Sequence, residues 1–69
     1  MTPAERVVLA RLLRGESAKV IGEALERSPF TIGSHTRKIF AAFELNSRGK
    51  VIARCVELGI PPEAIEREG

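Results

Sequence analysis

At 69 residues, 43% hydrophobic and 29% charged, the chain has the composition of one small globular domain, not of a disordered one. Its net charge of +2 conceals a split, with ten Lys and Arg against five Glu in residues 1–56, and Arg67 against four Glu beyond them. The basic body permits contact with nucleic acid. No apolar run nears the roughly 20 residues of a membrane span and no signal-peptide core opens the chain, which points to the cytoplasm.

Thr2-Pro3-Ala4-Glu5 reads as a capping box with proline at the first helical position, so a helix begins there. Val8, Leu9, Leu12 and Leu13 form its apolar stripe, Arg6, Arg11 and Arg14 lie away from it, and Gly15 stands where a helix-ending glycine belongs. Ser17 caps a short second helix, about Ala18 to Leu25, with Ile21, Ala24 and Leu25 at the spacing of a buried stripe. Gly22 in its middle costs roughly 1 kcal/mol relative to alanine, which implies close approach by another helix.

The stripe fails at Glu26-Arg27. Ser28-Pro29 then brings a second cap and a second proline, opening a longer helix from about Pro29 to Phe43. Ile32, Ile39 and Phe43 recur at i, i+7 and i+11, with Phe40 beside them. Phe30, Gly33, Ser34, Arg37 and Ala41 fall on the opposite side, and His35 at the border reads first as a packed histidine and second as a phosphate contact. Two helices joined by three or four residues, the second with a small and basic outer face, give residues 17–43 the layout of a DNA-reading helix-turn-helix.

Asn46 or Ser47 caps a fourth helix, about Arg48 to Leu58, and Gly59 with Pro61-Pro62 stops it. Residues 62–67 read as one further turn or a frayed end. The expectation is an all-α fold of four helices in one domain spanning residues 1–69. On the fourth helix, Val51, Cys55 and Leu58 cluster within roughly 60° at about 100° per residue, with Ile52 and Val56 further round. If Ile52 and Val56 serve the bundle, then Val51, Cys55 and Leu58 are spare. They are expected to meet their copies in a two-fold dimer, and Val51→Asp to give a folded monomer. A single cysteine allows no internal disulfide, and with a single histidine no zinc site, so neither metal nor cofactor is expected.

Thr2-Pro3-x-Glu5-Arg6-x-Val8-Leu9, Gly15-x-Ser17-x-Lys19-x-Ile21, Thr31-Ile32-x-x-His35, Ile39-Phe40 and Asn46-Ser47-Arg48 together resemble the LuxR/GerE-type helix-turn-helix domain, without gaps over about residues 2 to 55. The resemblance implies a four-helix bundle that binds DNA as a homodimer, with the third helix recognising the major groove and a helix at about 47–58 making the dimer contact. By position it assigns Lys19 and Arg48 to phosphates, and Gly33, Ser34 and Arg37 to the groove, where arginine can bond bidentately to guanine. Phe30, Thr31 and Lys38 complete the expected DNA-facing set. Three departures stand out. Glu26 and Arg27 occupy the turn, where the family commonly has glycine and a β-branched residue. Gly33 replaces a frequent lysine, and Phe30 takes a position that is usually basic.

No nucleophile–base constellation or phosphate-cradling loop is visible, so an enzyme is not expected. The leading reading is a sequence-specific DNA-binding transcriptional regulator, either freestanding or the effector domain of a longer one. The alternative is a protein-interaction module of the same fold that uses Phe30 and the fourth helix to hold a regulator or a polymerase subunit.

Overall fold

The protein is described by a computed structural model covering residues 2–68. Five helices follow one another: α1 (Pro3–Leu13), α2 (Ala18–Leu25), α3 (Pro29–Phe43), α4 (Arg48–Glu57) and α5 (Pro62–Glu68). No strand occurs among the described residues, so the all-α expectation holds. The tail expected as one turn or a frayed end is instead a fifth helix.

Local chemistry sets each start. At α1, the Thr2 hydroxyl accepts from the Glu5 amide at 3.2 Å, and the Glu5 carboxylate accepts in return from the Thr2 amide at 3.2 Å and the Thr2 hydroxyl at 2.9 Å. The reciprocal pair satisfies donors that an uncapped helix leaves orphaned. It also holds the Glu5 carboxyl below its ordinary value, chiefly through the Thr2 side chain. Ser17, Ser28 and Ser47 cap α2, α3 and α4 in the same way, each hydroxyl accepting an amide three residues on.

The core is aliphatic. Val8, Leu9, Ala10 and Leu12 of α1 meet Ile21, Ile32, Ile39, Val51 and Ile65, one or two residues from each of the other helices. Phe40 and Phe43 are half-buried at its edge and Phe30 lies outside it. Helix α1 is the hub, packing on α3, α4 and α5. The acidic tail is tied to the basic body across α1, where both Arg14 guanidinium ends reach the Glu66 carboxylate. That pairing raises the Arg14 pKa and lowers that of Glu66.

Three expectations are corrected. Ala24 is exposed, because α2 turns Ile21 into the core with the half-buried Ala18 and Leu25 packed beside it. Gly22 is crowded by its own turn and not by a distant helix: a Cβ there would lie 2.6 Å from the Arg27 carbonyl oxygen. On α4, Val51 and Cys55, each 1% exposed, point into their own bundle, whereas Val56 is 73% exposed. The inward stripe is therefore the one read as spare. Cys55 lines a cleft with Leu9, Phe43, Ile60 and Ile65, and burial pushes its thiol pKa up.

Helices α1 to α4 end alike. In each, an amide bonds back to the carbonyl five residues earlier: Glu16 to Arg11, Arg27 to Gly22, Leu45 to Phe40 and Ile60 to Cys55. This closure needs a left-handed residue just before the donating amide. Gly15 and Gly59 supply it at φ of 87° and 67°, but Glu26 and Glu44 do so at φ 57° despite carrying Cβ atoms. Left-handed backbone costs a non-glycine residue roughly 1–2 kcal/mol. Glu26→Gly and Glu44→Gly should each raise stability by up to about 1 kcal/mol, part of the relief being offset by glycine's greater freedom when unfolded. Thermal melts should show a rise of several degrees for each variant. A lower melting temperature for Glu26→Gly would mean that the turn depends on the glutamate side chain.

Candidate nucleic-acid interface

Ser28 and Pro29 decide where α3 begins, and the cap fixes the rotation of its first turn. The Ser28 hydroxyl accepts from the Thr31 amide at 3.1 Å and lies 3.1 Å from the Thr31 hydroxyl. With Ile32 and Ile39 wholly buried, Phe30, Ser34, Arg37, Lys38 and Ala41 are left on the exposed side. Helical geometry alone dictates this division, because seven residues make nearly two turns.

Four of the expected residues come together. Phe30, Gly33, Ser34 and Arg37 line one shallow depression on the outer surface of α3. Lys38 is exposed on the same helix. The fifteen residues of α3 include no carboxylate, so the face presents Arg37 and Lys38 without an acidic neighbour in the helix. Phosphate oxygens and the O6 and N7 of guanine are the acceptors such a face suits.

The remaining expected residues lie elsewhere. Thr31 is half-buried with its hydroxyl beside Ser28, which makes it part of the cap. Lys19 is exposed in the first turn of α2. Arg48 opens α4 half-buried, and its guanidinium donates to the Leu12 carbonyl at 3.3 Å, tying α4 to the end of α1. A guanidinium has five N–H donors, so this bond leaves capacity for a phosphate. His35 packs as expected, lining a small cavity with Val7, Val8, Leu25 and Ile32.

Of the expected dimer residues, only Leu58, at the C-cap of α4, is exposed, at 61%. The outward side of α4 instead carries Gly49, Ala53 and Val56, with half-buried Ile52 beside them. These residues stand at i, i+3, i+4 and i+7, a helical stripe visible in the sequence. Periodicity assigns Ile52 and Val56 to the bundle instead, because Val51, Cys55 and Leu58 form an equally regular stripe.

Residues 1–55 match the GerE family model, described as bacterial regulatory proteins, luxR family. No curated protein and no solved structure gives a significant match to the chain.

Proposed function

Because the chain belongs to the LuxR family of bacterial regulatory proteins, whose helix-turn-helix domains bind DNA, we propose that it is a sequence-specific transcriptional regulator that lays α3 in the major groove. The carrying observation is the α3 face, where Phe30, Gly33, Ser34 and Arg37 share one depression with no carboxylate in the helix. Arg37 reads a base, while Lys19 and Arg48 hold phosphates from α2 and α4. Nothing in this role calls for catalysis, a metal or a cofactor. No helix among the described residues is long and apolar enough to cross a membrane, which suits a protein that works on DNA in the cytoplasm.

The regulator acts as a homodimer that joins through the outer stripe of α4: Gly49, Ile52, Ala53 and Val56, with Leu58 at the end of the helix. Small residues at Gly49 and Ala53 let two helices approach closely, and the exposed Val56 gains burial by pairing. Two copies then present two α3 helices to half-sites about one DNA turn apart.

Titration of labelled duplexes at two salt concentrations tests the base and phosphate roles. Arg37→Ala should cost about 1–3 kcal/mol on the preferred site and little on random DNA. Lys19→Ala should weaken both alike and flatten the salt slope by roughly one unit. Arg48→Ala is the poorer phosphate probe, since it also removes the bond to Leu12. Equal losses on both DNAs for Arg37→Ala would refute its base-reading role.

A further inference from the structure

Phe30 is 87% exposed in the first turn of α3, the most exposed of the large hydrophobic residues described. The core closes without it. Beside it, Gly33 raises a matching question. A Cβ added there would meet nothing within 4 Å, whereas Gly22 is hemmed in by its own turn. Packing therefore explains the glycine in α2 but not the one in α3, where glycine still weakens the helix relative to alanine. Both unexplained residues line the same depression, together with Ser34 and Arg37.

The depression thus has an aromatic ring at one end, a guanidinium at the other, and a stretch of floor without a side chain between them. Base-pair edges in the major groove offer matching chemistry. Guanine presents two acceptors to an arginine, and the one apolar group on any base edge there is the C5-methyl of thymine. 5-Methylcytosine carries the same methyl at the same ring position. Phe30 and Arg37 are seven residues apart, about 10.5 Å along the helix, or about three base steps at ~3.4 Å each. A purely apolar protein partner fits this surface less well, because it would leave Arg37 facing it without an acceptor.

We propose that Phe30 is a specificity-determining residue that reads a pyrimidine C5-methyl group within about three base steps of the guanine read by Arg37, over the bare floor at Gly33. The inference rests on the DNA-binding role proposed above. It differs from a phosphate contact in kind, since it confers discrimination without adding to the salt dependence of binding.

The test uses the full chain and a duplex selected from a random library, followed by fluorescence anisotropy. Each thymine of the selected site is replaced in turn by deoxyuridine, which removes the methyl and nothing else. At one position the wild type should lose about fourfold in affinity, the worth of one buried methyl-sized group. Phe30→Ala should bind the thymine and deoxyuridine duplexes equally, and its exposed position means that the fold is kept. At the same position, cytosine and 5-methylcytosine are also compared. A gain of similar size with 5-methylcytosine makes the methyl of either base the ligand, and a gain with thymine alone narrows it to thymine. Methyl dependence that persists in Phe30→Ala overturns the proposal. So does a wild type indifferent to the methyl at every position of a duplex it still selects, an outcome that leaves DNA reading standing. Failure to prefer any duplex over random DNA overturns the DNA-reading role itself, and this inference with it.

Discussion

Val51→Asp should leave the domain unfolded at 25 °C, with far-UV circular dichroism lacking the helical signal and with no DNA binding. Val51 is 1% exposed and sits in the cluster formed by Val8, Leu9, Ile21, Ile32, Ile39 and Ile65. Aspartate there loses the burial of valine and places an unpaired charge among aliphatic side chains. Removing one partner of a buried ion pair, which likewise strands a charge, costs about 3–5 kcal/mol, and Val51→Asp should cost at least that. A domain of this length holds roughly 3–10 kcal/mol in all. Val56→Asp, five residues on, is the control. Val56 is 73% exposed, so its aspartate variant should keep a helical, cooperatively melting fold, sediment as a monomer and bind DNA far more weakly. The pair inverts the expectation drawn from periodicity, in which Val51→Asp was the folded monomer. A Val51→Asp protein that melts at the wild-type temperature would show that α4 is packed the other way round.

Gly22→Ala should destabilise the domain by about 3 kcal/mol, against the usual sign of a glycine-to-alanine change in a helix. The added Cβ would lie 2.6 Å from the Arg27 carbonyl oxygen and 3.5 Å from both the Pro29 nitrogen and the Ser28 carbonyl carbon. These are backbone atoms and cannot rotate away. The Gly22 carbonyl also accepts the Arg27 amide at 2.8 Å, so the clash opposes the bond that closes α2. Relief requires the turn to open, which changes the angle at which α3 leaves α2. Affinity for the preferred DNA should therefore fall along with stability. Urea denaturation measures the first and anisotropy the second. Gly33→Ala supplies the opposite sign in the same protein: nothing crowds its Cβ, so it should raise stability by up to about 1 kcal/mol. A Gly22→Ala protein as stable as wild type would show that the turn yields easily.

The limits of α2 and α3 were legible to the residue, and the reason is local. Ser17, Ser28 and Pro29 act on amides within three positions of themselves, so their effect is written into a few consecutive residues. The candidate site was legible for a related reason. The wholly buried Ile32 and Ile39 fix the rotation of α3, and the outward positions of Phe30, Ser34 and Arg37 follow from 3.6 residues per turn. The left-handed Glu44 gave no comparable signal, because the usual glycine is missing and only the closing bond from Leu45 to Phe40 reveals it. Arg48 read as a phosphate ligand, while its bond to Leu12 spans 36 positions of chain.

What the sequence determined by itself is therefore helix type, helix starts and the face of α3, all consequences of contacts within one or two turns. Tertiary structure alone decided the rotation of α4 and the docking of α5. Val51, Ile52, Cys55 and Val56 spread over enough of the α4 surface that two stripes are equally regular, and only the shape of the core already formed by α1 and α3 selects Val51 and Cys55. Helix α5 is held by Ile65 in the core and by Glu66 on Arg14, 52 residues away. Hydrophobic burial is non-directional and charge pairing ignores sequence distance, so neither leaves a mark in the local pattern from which a helix is read.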